Sequence, residues 1–314
     1  MRRIIYPLLL LLVAVNSFAQ YRITENKQKA FPKDIPPGNY SGIAWLGNNR
    51  YAVVNDKAEE DGFHIFEINI DSVSGEIRSA KEIEFRSSGF ANRDNEGIAY
   101  NPSSNTILIS GETDNRILEY DMDGIRTLRE AEMPDFYKHL PDNSGLEALS
   151  YNNHTQTLWT CNESDTIMIQ SFDSLYHPLK AYVYYLDEPI AKKSKAQYYA
   201  HGIGTICALD DGSLLLLERE FYTPKSKLGA FVNCKLYRFV PGEEGKELLA
   251  EWRTNLSLLG RSLANYEGMC LGPVLADGSR AIILVSDSQN QYAGVLKDWL
   301  KSLKLEKTEV QTQQ

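Results

Sequence analysis

Short apolar runs recur along the chain in pairs, and each pair opens on a similar motif. The openings begin at residues 40, 95, 145, 205 and 266 and read YSGIAWL, NEGIAY, GLEALS, TICALD and YEGMCLG. After a polar turn, the second runs read YAVVND, TILISGE, TLWTCNE, SLLLLE and AIILVSD. The openings are about 50 to 65 residues apart, and internal repeats of that length are typical of propeller blades.

Two further segments follow most pairs and complete units of four. The third segments are HIFEINI, RILEYDM, TIMIQSF and KLYRFVP, and the fourth are IRSAKEIEF, GIRTLREAEM, KAYVYYLD and KELLAEWR. Apolar runs of this length, bounded by turn residues, favour strands over helices. The first two strands are predicted to be buried and the alternating outer two to meet water. The pattern therefore predicts an all-β fold, a β-propeller of four-stranded blades.

The fifth unit departs from this pattern after AIILVSD. Apolar residues from Val295 to Leu303 fall at helical spacing and are compatible with a closing helix. Alternatively, this stretch is an outer strand, and the N-terminal segment YRITENKQKAF supplies the other one. Such pairing of the N- and C-terminal segments would close the ring and remove exposed sheet edges. We favour five blades, with six as the alternative, and expect residues 307–314 to form a disordered tail.

The N-terminus has the layout of a secretory signal peptide. Arg2 and Arg3 precede an apolar stretch from Ile4 to Val15, and small residues lead to a predicted cleavage after Ala19. The alternative is a membrane anchor, but the apolar stretch is shorter than the roughly 20 residues that span a bilayer. We therefore expect removal of residues 1–19 and a single propeller domain over residues 20–306, located in the periplasm or secreted, without membrane attachment.

Composition excludes several classes of function. The chain has 42 acidic and 33 basic residues, a formal charge of -9 and no basic stripe, which disfavours nucleic acid and anionic membranes as partners. The four cysteines never form a CxxC pair, and Cys161, Cys207 and Cys270 lie in apolar runs that favour buried thiols over disulfides. There is no GxSxG elbow, phosphate-binding loop or HExxH motif.

The acidic residues fall at equivalent places in the repeat. Within each unit the first strand leaves its opening residue and the second returns, so the two ends share one mouth of the propeller. The acids predicted at this mouth are Asp56, Glu96, Glu112, Glu147, Glu163, Glu218, Glu267 and Asp287. Like charges so close together would raise one another's pKa unless a cation lies among them. Oxygen ligands in a wide site favour Ca²⁺ over Mg²⁺ or zinc.

A structural role is an alternative for the Glu of the EG motif. Its carboxylate could accept backbone hydrogen bonds from the next blade and so lock the repeat. The glycines that follow, such as Gly97 and Gly268, would then allow neighbouring strands to approach closely. Ser41 and, by alignment, Thr205 stand where the other units have Glu.

Several basic residues are predicted near the same mouth: Lys57, His64, Arg93, Arg116, His201 and Arg219. Arg219 directly follows a mouth acid, so it either forms a salt bridge within the acid group or contacts a ligand. A guanidinium facing a ligand would suit phosphate or carboxylate. His201 is a candidate general base, although a lone His is more often structural.

The repeated motifs resemble a known family. SGIAW, NEGIAY, GLEALS, TICALDDGSLLLLERE and YEGMCLGP with VSDS are similar to the phytase-like propeller domain labelled "esterase-like activity of phytase". The SdiA-regulated calcium-binding propeller family shares the opening motifs and is the nearest rival. The resemblance implies an exported, calcium-dependent propeller with phosphoester or ester hydrolase activity. Carried onto this chain, the acidic positions of the family fall on Glu96, Glu147, Glu218 with Arg219, Glu267 and Asp287.

Three hypotheses about function follow. The first is a calcium-dependent hydrolase of a phosphorylated or esterified small molecule, with Glu112, Glu218 and Arg219 as candidate catalytic residues. The second is a non-catalytic propeller that binds a ligand or partner, in which calcium has only a structural role. The third is a lactonase-type hydrolase. All three are compatible with a monomer.

Overall fold

The computed structural model describes residues 20–141, 144–257 and 261–308. The predicted signal peptide lies outside these residues, as does the chain beyond residue 308. Among the described residues, no helix is both long enough and apolar enough to cross a membrane.

Strands make up most of the described chain, which begins with β1 (Gln20–Glu25) and β2 (Lys29–Ala30). The first sheet contains β3 to β6, at Tyr40–Trp45, Arg50–Asn55, Glu60–Ile70 and Ile77–Ala91. The second contains β7 to β10, at Asn95–Asn101, Thr106–Gly111, Arg116–Tyr120 and Arg126–Glu130. The third contains β11 to β14, at Leu146–Asn152, Thr157–Asn162, Ile167–Phe172 and Pro178–Tyr184.

The fourth sheet contains β15 to β18, at Ala196–Ala208, Leu214–Pro224, Phe231–Phe239 and Glu247–Asn255. The remaining strands are β19 to β21, at Asn265–Val274, Arg280–Asp287 and Trp299–Thr308. The described helical segments are short: α1 at Asp135–Lys138 and two 3-10 turns at Lys193–Lys195 and Tyr292–Gly294. The predicted all-β fold of four-stranded antiparallel sheets, arranged like propeller blades, is confirmed.

The inner strands of each sheet are more buried than the outermost strand. In β8, four consecutive residues from Ile107 to Ser110 are fully buried, because both faces of the sheet are covered by neighbouring sheets. The outermost strands β10, β14 and β18 are largely exposed. The predicted burial of the first two strands in each unit is therefore confirmed.

The last sheet combines the two ends of the described chain. Its order is β1-β21-β20-β19, and Ile23 pairs with Leu305 where β1 runs antiparallel to β21. The closing helix was therefore wrong, and the strand alternative is confirmed. Leu303 and Leu305 are buried at strand spacing, so packing against the sheet outweighs the helical spacing of the apolar residues. β21 also continues through Thr308, two residues into the predicted tail.

Five apolar clusters fill the spaces between sheets. Four lie between consecutive sheets, and the fifth joins the last sheet to the first, for example through Val285 and Ile43.

The innermost strands approach one another at the predicted glycines. A Cβ on Gly97 would lie 2.6 Å from the Leu149 nitrogen, and one on Gly268 would lie 3.0 Å from the Gly42 Cα.

Candidate functional site

Each innermost strand carries one extra residue at the same place. The pairing with the second strand shifts by one position around Ser41, Glu96, Glu147, Gly204 and Glu267. A β-bulge of this kind re-aims a side chain and is common next to functional sites. The Glu of the EG motif is therefore the bulge residue of its blade, which explains why an acid can occur within an otherwise apolar strand.

The register also identifies the equivalent residue on each second strand. Tyr40 pairs with Asn55 and Ile203 pairs with Glu218, so the next residues, Asp56 and Arg219, are equivalent. The full set is Asp56, Glu112, Glu163, Arg219 and Asp287. The fourth blade thus presents Gly204 at the bulge, where three other blades present Glu and the first presents Ser41, and it presents Arg219 where all the others present an acid. The sequence alignment of Thr205 and Glu218 with these positions was wrong by one residue, because it did not account for the bulge.

Arg219 is the cation that pairs with three of the acids at this end of the propeller. One terminal nitrogen, Nη2, lies 3.0 Å from Glu267 Oε1, 3.3 Å from Glu147 Oε1 and 3.6 Å from Glu163 Oε1. Only 6% of the Arg219 side chain is exposed. A Cβ on Gly204 would lie 2.9 Å from Arg219 Cδ, so the glycine makes room for the arginine. We call Arg219 with these three glutamates the arginine cluster.

The other acids at this end are Asp56, Glu96, Glu112 and Asp287, which we call the open acids. Lys57 contacts Asp56 at 3.5 Å and also pairs with Asp94, but more than half of its side chain is exposed. Glu112 Oε1 accepts a hydrogen bond of 3.3 Å from the backbone nitrogen of Gly145 in the next blade. The locking role considered for the EG glutamates is thus performed by an acid that ends a second strand.

Burial and like charge raise the pKa values of these acids. Burial is the main cause of the raised pKa of Glu96, and the negative charges of Glu147 and Asp56 add to it. Burial likewise raises the pKa of Asp56 to about 7, although Lys57 opposes the shift. The pKa values of Glu147 and Glu267 are also raised by burial despite Arg219. The acids at this end therefore exceed the cations available within the described chain.

Glu218 lies apart from this group. Its carboxylate accepts hydrogen bonds from the Tyr184 hydroxyl at 2.7 Å and the Asp187 backbone nitrogen at 3.2 Å, and it pairs with Lys246. Adjacent residues on a strand point to opposite faces, so Arg219 and Glu218 cannot both face the axis. The predicted grouping of Glu218 with the mouth acids and with Glu112 was therefore wrong. The extra glycine in HGIGT was the sequence signal that could have revealed the correct register.

Of the basic residues predicted at the mouth, Lys57 and Arg219 lie within the acidic group. Arg93 instead binds Asp114 at 2.8 Å, and Arg116 pairs with Glu130 on an outer strand. His64 contacts Glu82, a residue of the outermost strand of the first sheet. Burial lowers the pKa of His201, whose neighbours include Glu220 and Glu218. These four side chains are accounted for by contacts away from the acidic group.

The open acids offer carboxylate oxygens, which are the type of ligand atom that a hard cation such as Ca²⁺ prefers. In the part of the chain that the structure describes, however, no group of three His, Cys, Asp or Glu side chains is arranged to hold a metal ion. All four cysteines are free, buried thiols. Calcium binding here would require the open acids to turn towards one another.

Free space is found at the end of the innermost strands opposite the acids. Between Ser41, Glu96 and Glu267 these strands leave almost no free volume. A cavity of about 540 Å³ opens four to five residues further along the same strands, lined by residues such as Trp45, Tyr100 and Tyr151. Sequence reasoning missed this cavity, because its residues look like ordinary strand ends and turn residues.

The chain belongs to the family described as "Phytase-like: Esterase-like activity of phytase", whose profile matches residues 35–289. A search of curated proteins found no match.

Solved structures with partial similarity include three enzymes. Hydrazine synthase of Kuenenia stuttgartiensis shares 8% identity over 88% of this chain and 65% of that chain, with a TM-score of 0.41. Streptogramin B lyase shares 14% identity over 91% and 98% of the two chains, with a TM-score of 0.41. An inactive virginiamycin B lyase variant from Staphylococcus aureus was solved with quinupristin. It shares 13% sequence identity over 91% of this chain and 99% of that chain, with a TM-score of 0.43. These similarities are too low to support any functional argument.

Proposed function

We propose that this protein is an exported, monomeric five-bladed propeller whose acidic end binds calcium. The observation that carries the proposal is the excess of buried carboxylates over cations at that end. A closed ring of five blades is supported by the apolar cluster between the last and first sheets and by the pairing of β1 with β21. Export is proposed from the signal-like layout of residues 1–19.

The open acids are the proposed calcium ligands. Arg219 forms ion pairs with Glu147, Glu163 and Glu267. Asp56 instead has the partly exposed Lys57 as its ion-pair partner, and Asp287 interacts with Arg219 only at longer range. When bound, calcium supplies positive charge that stabilises the ionised acids and an anionic oxygen of a ligand. Without it, burial raises the pKa values of Asp56 and Glu96, and like charge nearby adds to the shift.

Hydrolysis of a phosphoester or ester at this end is the activity that the family description suggests. Glu112 would be the general base of this reaction, although its carboxylate also bonds to Gly145. Arg219 is unsuited to substrate binding, since three glutamates already surround its guanidinium. A lactonase-type reaction would use the same base.

The competing proposal is a non-catalytic binding propeller with a structural cation. It is favoured by one observation: a cavity of about 540 Å³ lies at the end of the innermost strands opposite the acids. Under this proposal the arginine cluster and the open acids hold the innermost strands together, and ligand binding occurs away from the acids.

The test combines metal content, stability and turnover of the mature chain, residues 20–314. We expect calcium to be retained after dialysis, to raise Tm, and to be lost in Glu96→Gln but not in Glu119→Gln. Glu119 is a suitable control because it is equally buried but bonds to Tyr176 and Arg129 away from the axis. A Tm that does not respond to calcium or chelator, with no bound metal, would overturn calcium binding.

Turnover is measured on para-nitrophenyl phosphate and para-nitrophenyl acetate, with and without chelator. Calcium-dependent hydrolysis that disappears in Glu112→Gln would support the enzyme. Bound calcium without turnover of either substrate or of a lactone would exclude the hydrolase and leave the binding propeller.

A further inference from the structure

The cavity at the end opposite the acids has the size and lining of a ligand site. Its volume of about 540 Å³ lies within the range typical of small-molecule pockets, roughly 300–1,000 Å³. All five innermost strands contribute to it, so its wall consists of rigid sheet ends. Half-buried aromatic and apolar residues, including Trp45, Tyr100, Tyr151 and Leu271, line it.

Arg280 gives this cavity a distinct chemistry. It begins β20, lines the cavity, and its guanidinium carbon lies 5.3 Å from the centre of the Trp45 ring. Within the described residues, Arg280 has no salt-bridge partner, and its Nε is buried without a hydrogen bond. A half-buried cation without an anion is unfavourable unless a partner or water satisfies it. The arginine is therefore available to an anionic group that enters the cavity.

The cavity is separate from the acidic end. Ile43, Ile98, Leu149 and Met269 line both the narrow space beside the acids and the floor of the cavity, and all four are buried. These four side chains therefore form an apolar layer between the acids and the cavity. Asp210 and His154 lie on the exposed rim of the cavity, where water screens their charges. A ligand in the cavity would thus meet Arg280 without direct repulsion from the acidic group.

We propose that this cavity binds a small amphipathic anion, a phosphate or carboxylate attached to an aromatic or acyl body. The apolar body is held by Trp45, Tyr100 and Tyr151, and the acidic group pairs with Arg280. A guanidinium suits both anions because its planar donors match two oxygens at once. The site is independent of calcium and of any hydrolysis at the acidic end, so it goes beyond the function proposed above.

The experiment compares two fluorescent probes that differ by one charged group. Anilinonaphthalene sulfonate carries an anion on an aromatic body, and N-phenylnaphthylamine is its neutral counterpart. We expect saturable binding of one sulfonate probe per folded chain, with quenching of tryptophan emission. Naphthyl phosphate and naphthoate are then tested as competitors, and the stronger competitor identifies the preferred acidic group.

Three variants assign the binding to this cavity. Arg280→Met is expected to weaken the sulfonate probe by about tenfold or more and to leave the neutral probe unchanged, because one charge-assisted pair is lost. Trp45→Ala is expected to weaken both probes, and Trp45→Phe to retain most of the affinity if the alanine variant folds poorly. The control is Arg253→Met, which removes an arginine that lies 4.4 Å above Phe231 on another face.

Two results would overturn the proposal. The first is the absence of saturable binding of both probes to the folded protein, with binding appearing only on heating or in denaturant. The second is equal affinity of the sulfonate probe for the wild type and Arg280→Met. Binding that survives chelator and Glu96→Gln supports a site independent of the acidic end, whereas loss under either condition would contradict that independence.

Discussion

The two ends of the innermost strands use arginine in opposite ways. Arg219 at the acidic end has three glutamates within 3.6 Å of one nitrogen and almost no exposed surface. Arg280 at the cavity end has no ion pair within the described chain and lies over Trp45. The ends are separated by about four strand residues, or roughly 13 Å. The same scaffold therefore places a satisfied charge at one end and an unsatisfied one at the other.

The difference shows why a buried charge is a poor guide to function by itself. A guanidinium surrounded by carboxylates is held in place, and removing it leaves those carboxylates buried without a partner. A guanidinium without a partner costs stability but can bind an incoming anion. The groups around each arginine, rather than the motif in which it occurs, therefore determine whether it stabilises the fold or is available to bind an anion.

The largest expected effect is the loss of the cation in the arginine cluster. Arg219→Met leaves Glu147, Glu163 and Glu267 without their shared partner, and we expect a decrease of about 3–5 kcal/mol in the free energy of unfolding. Urea denaturation measures it. Arg116→Met is the control, because its pair with Glu130 is exposed and should contribute less than about 1 kcal/mol.

A partial rescue would distinguish charge from packing in that cluster. Adding Glu267→Gln to Arg219→Met removes one uncompensated acid and should recover part of the lost stability. A decrease below about 1 kcal/mol in Arg219→Met, or no recovery in the double variant, would show that the cluster does not hold the acidic end together.

The next largest effect concerns the glycine that accommodates Arg219. In Gly204→Ala the new Cβ would lie 2.7 Å from the Tyr266 carbonyl oxygen and 2.9 Å from Arg219 Cδ. We expect destabilisation of about 1–3 kcal/mol, measured by urea denaturation. Gly202→Ala is the matched control on the same strand, since its Cβ would approach Glu163 Cγ no closer than 3.7 Å. Equal effects of the two substitutions would contradict the close approach.

The pH dependence of stability is a weaker effect that reports on the open acids. Burial raises the folded-state pKa of Asp56 from 3.8 to about 7, so the folded chain retains a proton that the unfolded chain loses. The free energy of unfolding should therefore decrease as pH rises between about 4 and 7. Asp61 has a lowered pKa and acts with the opposite sign, but only below about pH 4.

We accordingly expect a lower Tm at about pH 8 than at about pH 5, measured in chelator. Asp56→Asn should reduce this difference in Tm, which corresponds to a change on the order of 1 kcal/mol in the free energy of unfolding. Added calcium should reduce it in the wild type, because a cation replaces the protons. A Tm that rises over this range would show that the open acids are not protonated in the folded protein.

The smallest effect is expected at the cavity end. Arg280→Met should change the free energy of unfolding by less than about 1 kcal/mol, since within the described residues its side chain has no ion pair and lies against the Trp45 ring. The comparison with Arg219→Met under identical urea conditions is the measurement. Similar losses for both arginines would remove the distinction between the two ends.

The fold could be predicted because its signal is periodic. Five openings, the buried pairs of strands and the glycines at close strand contacts are all local features that repeat along the chain. The fifth unit was ambiguous for a physical reason. Val295 to Leu303 match a helix by spacing, and only the partner strand β1, nearly the whole chain away, decides that Leu303 and Leu305 pack in a strand.

The candidate site could be predicted only in part. The acids of four blades were found from the repeat, but the fourth blade was misaligned because a bulge adds one residue without changing the apolar pattern. That single position decides whether Glu218 or Arg219 joins the acids. The cavity was missed because it depends on how five strand ends converge, and no local motif records that convergence.

The pairing of β1 with β21 also has a consequence for the order of assembly during synthesis. β20 has its outer partner only after Trp299–Thr308 has been made, and that strand must then meet Gln20–Glu25. Four sheets can form from continuous segments while the ribosome is still translating, but the last cannot. A nascent chain that stops before residue 299 therefore presents an unpaired strand edge to chaperones and to other chains. The final ten residues of the described chain decide when that edge is covered.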